Sequence, residues 1–290
     1  MKCNLCPREC GAERSVTRGR CGSGEEFEIA YIGLHKWEEP CISGENGSGT
    51  VFFTGCSLGC CYCQNREITR GGGRKLSAEE LSDKMIWLES IGAHNINFVT
   101  AGHYADKLPR LTYMARKKGL TIPVVYNSGG YEKKETVKML QGYVDVYLPD
   151  FKYASNEISA LLSDAADYPE VAKECIGEML RQQPEREYDE NGLITRGVII
   201  RHLVLPGLIR ESRKVLDTIL SCYGKDVAVS LMSQYFPPMS FEGRLFFLNR
   251  KLTAGESERI QNYLFSLGFS EGYVQSRKSA EKDYVPKWEV

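Results

Sequence analysis

Residues 54–65, Thr-Gly-Cys-Ser-Leu-Gly-Cys-Cys-Tyr-Cys-Gln-Asn, place Cys56, Cys60 and Cys63 at C-x3-C-x2-C spacing in a glycine-bearing loop directly after the apolar run 51–53. Three thiolates are one too few for a closed four-thiolate site. A 4Fe-4S cluster held by four cysteines carries electrons, whereas one held by three keeps an iron with an open coordination position where chemistry can happen. The alternative is a zinc knuckle with a distant fourth ligand, but zinc sites usually pair their cysteines as two C-x2-C or similar arms. The spacing therefore points to an open iron–sulfur site, and so to an enzyme. Cys61 interrupts the motif at a spacing that does not suit ligation.

At 290 residues the chain is long enough for one large α/β unit with a small appendage and a substantial buried core. Its net charge of -1 gives no broad basic field for nucleic acid or an anionic membrane. Arg8, Arg14, Arg18 and Arg20 near the start are offset by Glu9, Glu13, Glu25 and Glu26, which argues against a nucleic-acid arm. No stretch approaches about 18 continuous apolar residues, and the polar, cysteine-bearing start lacks the apolar core of a signal peptide. A cytoplasmic protein is expected, one in which the 11 cysteines serve as metal ligands and free thiols rather than disulfides.

A second group, Cys3, Cys6, Cys10 and Cys21, opens the chain in a segment with little apolar content. Such a segment does not fold on burial alone, so a metal is expected to close it. Four thiolates suit a tetrahedral structural zinc or a second 4Fe-4S cluster equally well. Cys41 is remote from both groups and receives no role; Cys175 and Cys222 read as helix-packing residues.

From residue 51 onward, short apolar runs (51–53, 96–100, 122–126, 144–148, 198–204 and 227–232) alternate with segments of helical periodicity (78–91, 105–118, 133–141, 169–181 and 210–222). Residues 27–32 alternate as a strand or hairpin leading into this pattern, and Ser77 with Glu80 forms a capping-box signature. Six β/α units imply a parallel α/β sheet with helices outside and a site at the carboxyl ends of the strands. The expected organisation is a cysteine-rich module and connector over 1–48, the α/β unit over 49–250, and a helix (255–267) with an irregular tail over 251–290 that covers the open side. The strand ends carry Thr100 and His103, then Asn127 and Ser128, then Asp150 and Lys152, and finally Gln234 and Tyr235. Arg201 and His202 are adjacent within a strand, so only one points inward. Met232 reads as core.

The C-x3-C-x2-C loop, with Tyr62 before its last cysteine, resembles the signature of the radical S-adenosylmethionine (radical SAM) enzymes. Three further stretches extend the likeness: the Cys3-x2-Cys-Pro-Arg-x-Cys10 start, Tyr147-Leu-Pro-Asp-Phe-Lys-Tyr153 and Ser230-Leu-Met-Ser-Gln-Tyr235. With the run from Gly47 to Cys56 they resemble the iron–sulfur proteins homologous to the pyruvate formate-lyase activating enzyme, over nearly the whole chain. The resemblance implies a six-stranded partial (β/α)6 barrel. It implies also a cluster on Cys56, Cys60 and Cys63 that reductively cleaves S-adenosylmethionine to methionine and a 5′-deoxyadenosyl radical, which takes hydrogen from a substrate.

The same resemblance implies roles for the strand ends. Asp150-Phe-Lys152 is similar to an Asp-Leu-Lys element of glycyl-radical activating enzymes, which puts Asp150 near a cation or the ribose and Lys152 near the cofactor carboxylate. One of Arg201 and His202 would approach the cofactor. Where many relatives carry Gly-Gly-Glu for the methionine amino group, this chain has Thr100-Ala-Gly, so Thr100 or backbone takes that part. Tyr62, Asn127, Ser128 and Gln234 complete the expected cofactor pocket. The implied partners are a flavodoxin- or ferredoxin-type electron donor and, as target, a glycyl-radical enzyme. Alternatives are another peptide or a small metabolite as substrate, or a non-catalytic iron–sulfur electron-transfer or scaffold protein.

Overall fold

The computed structural model describes residues 2–280 together with Pro286 and Trp288. In chain order the elements are β1 (Phe27–His35), α1 (Pro40–Ser43), β2 (Ser48–Phe53), β3 (Arg74–Leu76), α2 (Ala78–Ser90), β4 (Ile96–Val99), α3 (Leu108–Lys117), β5 (Val124–Ser128) and α4 (Lys134–Lys138). They continue with β6 (Val146–Pro149), α5 (Asn156–Ser163), α6 (Tyr168–Gln182), β7 (Glu187–Tyr188), β8 (Ile194–Leu203), α7 (Ile209–Tyr223), β9 (Ala228–Met232), α8 (Ala254–Leu267) and β10 (Glu271–Val274). The sheet order is β10-β9-β8-β6-β5-β4-β2-β1-β3, with β7 paired to β8. All neighbours from β2 through β10 along this path are parallel, and β1 lies antiparallel between β2 and the edge strand β3. This is a partial α/β barrel, containing all six expected parallel strands.

The alternation of side chains along each strand sorts the barrel into two apolar regions. Val51, Phe53, Phe98, Tyr126, Tyr147, Val198, Ile200, Val229 and Leu231 join the helices in the main core. Val125, Val146, Leu148, Ile199 and Ala228 point the other way and pack with Cys41 and Ile42. Short helix α1 thus plugs the floor of the barrel, where Ile42 is fully buried. Cys41 is part of that plug. Above it the inward positions turn polar, beginning with Asn97, Asn127, Arg201 and Ser230.

The Ser77–Glu80 capping box forms as the sequence indicates. The tail after α8 departs from expectation, because 271–274 form a seventh parallel strand against β9 rather than irregular chain. A Cβ on Gly272 would lie 2.5 Å from the Val229 carbonyl oxygen, so glycine is what lets this strand approach. The polar stretch 182–192 likewise contains the two-residue β7. Cys222 is exposed rather than packed between helices, while Cys175 is buried in α6.

Residues 2–24 contribute only an isolated bridge, between Lys2 and Glu13, to regular structure. They are fastened to the barrel by side chains: Thr136 Oγ1 donates to the Leu5 carbonyl at 2.6 Å, Arg8 stacks over Tyr131 at 5.1 Å and Arg14 over Tyr104 at 4.9 Å.

Replacing Ile42 with Ala leaves a void under the polar layer. Urea unfolding is expected to show a loss of about 2–5 kcal/mol with an unchanged denaturant slope; a loss within about 0.5 kcal/mol would show that α1 is no plug.

Candidate active site

The cysteine loop is set between β2 and the end of α5. The Gly59 N–H donates to the Ser163 carbonyl at 3.1 Å, and the Cys61 N–H to the Leu162 carbonyl at 2.8 Å. The Cys61 backbone thus anchors the loop, and its side chain is not among those lining the cavity. Cys56, Cys60 and Cys63 all line one cavity of ≈ 250 Å³ at the carboxyl ends of the strands. The Leu58 N–H points at Cys56 Sγ (3.4 Å), and Ser163 Oγ donates to Cys60 Sγ (2.9 Å). Burial pushes the Cys63 thiol up to about 12, and the neighbouring Cys60 adds to the rise. Cys56 is raised for the same reasons, in the same order.

Tyr62 faces inward as expected. Its hydroxyl lies 2.6 Å from that of Tyr153, which lies 2.6 Å from Ser163 Oγ, so a hydroxyl chain runs to Cys60. Tyr235 instead turns away: its hydroxyl donates to the Leu248 carbonyl at 2.7 Å, and it touches Tyr62 edge-on. Met232, expected in the core, stands on the cavity wall.

Opposite the cysteines lies a buried ionic network. Arg201 reaches Asp150 at 3.1 Å, Glu38 at 3.1 Å and the Asn127 side-chain oxygen. Asn127 and Asn97 both donate to the other oxygen of Glu38, at 3.2 and 3.3 Å. Lys152 pairs with Asp150. Burial works against charge on Asp150, yet Lys152 and Arg201 overcome it and hold the carboxyl below its ordinary range. Burial also opposes the Lys152 cation, but the Asp150 carboxylate beside it outweighs that and keeps the ammonium charged. Glu38 and Glu39 go the other way: burial favours their protonated forms more strongly than Arg201 favours the carboxylates. Lys152 and Arg201 thus both present positive charge on this wall, with Asp150 and Glu38 as their acidic partners.

Thr100, on the same cavity, has φ +60°, a left-handed conformation for a β-branched residue. Strain of this kind costs on the order of 1–3 kcal/mol and gathers at functional sites. The Thr100 N–H is held by the Asn127 carbonyl at 2.9 Å, which fixes the loop beside the network.

Of the residues expected from sequence, Tyr62, Thr100, Asn127, Ser128, Asp150, Lys152, Arg201 and Gln234 line the cavity together with the three cysteines. His202 does not, and the expectation for it is corrected. Strand alternation turns it to the helix layer, where Nδ1 donates to the Phe151 carbonyl at 2.8 Å and Nε2 accepts from Ser212 at 2.9 Å. A carbonyl only accepts, so the proton sits on Nδ1. His103 is also buried away from the cavity, against the Tyr104 ring. Glu38, Glu39 and Trp37 escaped the sequence reading; two acids between a strand and a helix-starting proline were the signal.

The donor set fits an iron–sulfur cluster. Three thiols converge at one wall, a lysine offsets their charge, and the remaining face opens onto the cavity. Among the described residues no three His, Cys, Asp or Glu side chains close on one point as tightly as a single metal ion requires; a four-iron cluster is a larger body with thiolates set wider apart.

Residues 50–219 match the family model of the radical SAM superfamily. That is more than half of the chain, and the chain belongs to this superfamily. An uncharacterized protein of Methanocaldococcus jannaschii is 30% identical over 269 residues, 89% of this chain and 72% of its own length. Native anSMEcpe with bound AdoMet and Kp18Cys peptide shares the fold at TM-score 0.52 and 15% identity, over 76% of this chain. This chain spans only 60% of that one. A domain of pyruvate-formate lyase-activating enzyme from Bacteroides vulgatus gives TM-score 0.42 and 11% identity, covering 60% of this chain and 92% of that one. Among the described residues no helix is long and apolar enough to cross a membrane.

Burial lowers His202 from the ordinary histidine value of 6.5 to about 4. The neutral ring therefore stabilises the fold in full above about pH 6.5, and that contribution is lost as pH falls toward about 4. Between those values wild type is expected to lose up to about 3 kcal/mol more stability than His202→Gln, measured by urea unfolding. Parallel losses would mean that the ring is solvated.

Proposed function

We propose that this chain is a radical SAM enzyme whose Cys56, Cys60 and Cys63 hold a 4Fe-4S cluster beside a bound S-adenosylmethionine. The observation that carries this reading is the meeting of the three thiols and the Asp150–Lys152–Arg201 network in one cavity. When bound, the cluster and S-adenosylmethionine supply one-electron reductive cleavage and, through the adenosyl fragment, abstraction of a hydrogen atom.

The chain's own residues orient and enclose. Lys152 and Arg201 offer positive charge to the methionine carboxylate, and Asp150, fixed by both, holds them in register. Thr100, with its backbone, faces the amino group in place of the Gly-Gly-Glu stretch common among relatives. Asn127, Ser128 and Gln234 supply hydrogen bonds to the adenosyl part. Phe52, Val99, Leu203 and Met232 form the apolar side of the cavity and limit water at the reacting centre. Tyr62 braces the cysteine loop through Tyr153 and Ser163.

The target we propose is a peptide segment, with the glycine-bearing loop of a glycyl-radical enzyme as the first candidate. The Asp150-Phe151-Lys152 likeness to activating enzymes supports it, as does the peptide named with anSMEcpe. A low-potential flavodoxin- or ferredoxin-type protein would supply the electron, and the cytoplasm is the setting in which such thiols stay reduced.

Anaerobically reconstituted, reduced protein given S-adenosylmethionine is expected to form 5′-deoxyadenosine, and Cys60→Ala to form none. Equal product from both would refute the assignment of the loop. Lys152→Met is expected to weaken S-adenosylmethionine binding by about tenfold or more, because a charge-assisted contact is lost; titration calorimetry with an unchanged dissociation constant would remove Lys152 from the site.

A further inference from the structure

The four-cysteine module does more than sit beside the barrel. The Cys56 N–H donates directly to the Cys21 carbonyl at 3.0 Å, so one backbone hydrogen bond joins a residue of the first thiol group to a residue of the second. The contact is built in. Ser23 Oγ donates to the Thr54 carbonyl at 3.2 Å, and Arg8 Nε to the Ser57 carbonyl at 3.0 Å, fastening the module on both sides of Cys56. Gly55 between them has φ +89°, and a Cβ there would lie 2.7 Å from the Cys21 carbonyl oxygen and 2.2 Å from Ser23 Oγ. Only glycine permits so close an approach.

Within the module the thiols face one another. A Cβ on Gly19 would lie 3.3 Å from Cys21 Sγ and 3.6 Å from Cys10 Sγ. The module also has a direction: Cys10 is exposed and Cys21 is buried against the loop.

We infer that Cys3, Cys6, Cys10 and Cys21 hold a second iron–sulfur cluster, and that it hands single electrons to the cysteine loop through the Cys21–Cys56 backbone contact. The inference rests on the reading of Cys56, Cys60 and Cys63 given above. Zinc, which has no redox chemistry, would make no use of this contact. A one-electron donor of the flavodoxin or ferredoxin class reduces the outer cluster near Cys10. The same electron then passes inward, the outer cluster returns to its oxidised charge and the inner cluster gains one negative charge. No bond is made or broken and no proton moves.

The test uses the full chain, reconstituted anaerobically with iron and sulfide. Wild type is expected to contain about eight irons per chain and no stoichiometric zinc. After reduction, its electron paramagnetic resonance should show two clusters broadened by mutual spin coupling, one of them altered by added S-adenosylmethionine. Cys3→Ser with Cys10→Ser should contain about four irons and give one uncoupled signal that still responds to S-adenosylmethionine. In that variant reduction of the inner cluster by reduced flavodoxin should slow several-fold, while a small photochemical reductant that enters the open cavity should still work.

If the double variant does not fold, the metal content and spin coupling of wild type decide the question. One zinc with about four irons per chain overturns the inference, as does an unchanged reduction rate in the variant. Two coupled clusters that both ignore S-adenosylmethionine overturn the reading of the cysteine loop, and the relay with it.

Discussion

A guanidinium buried inside a barrel has to be matched, and the matching of Arg201 organises this site. Its partners come from three other parts of the chain: Asp150 after β6, Asn127 on β5 and Glu38 between β1 and α1. Removing Asp150, which pairs with both Arg201 and Lys152, would leave an uncompensated buried charge, with a penalty of about 3–5 kcal/mol. The network therefore ties the ends of β5, β6 and β8 to the segment before α1. It also explains the polar layer in the barrel, which sits on an apolar floor closed by Ile42 and gives onto a cavity with apolar flanks.

The same logic of fixed geometry extends to the cysteine loop. Residues 54–65 have little regular structure, and their shape is imposed from outside by Ser163, Leu162, Ser57's contact with Arg8 and the Cys21 carbonyl. On the proposed reading the loop presents three thiols to one cluster, and hydrogen bonds from outside of this kind are what orient such ligands. Thr100 completes the frame on the far side, where its strained backbone persists because Asn127 and the turn after β4 hold it.

The parallel strands and the cysteines that line the cavity were legible because apolar runs and cysteine spacing are local signals. Asp150 and Lys152 were legible as strand-end residues. The choice between Arg201 and His202 was not, because β8 is buried on both faces and its apolar neighbours do not reveal which face is inward. Glu38 and Glu39 were hidden in a stretch that read as a glycine-rich connector, and their role exists only because α1 folds back under the barrel. Strand β10 was missed for a related reason: four residues with one glycine carry almost no strand signal, and it is the edge of β9 that gives them an order.

The most direct test of the central claim, that three thiols leave an iron open to the cavity, is the electron paramagnetic resonance spectrum of the reduced, reconstituted protein before and after S-adenosylmethionine is added. Coordination at the open iron predicts a clear change in the g-values of one cluster, absent when Lys152 and Arg201 are both replaced and the cofactor no longer binds. A wild-type spectrum identical with and without S-adenosylmethionine, in protein shown to bind it, would contradict the account.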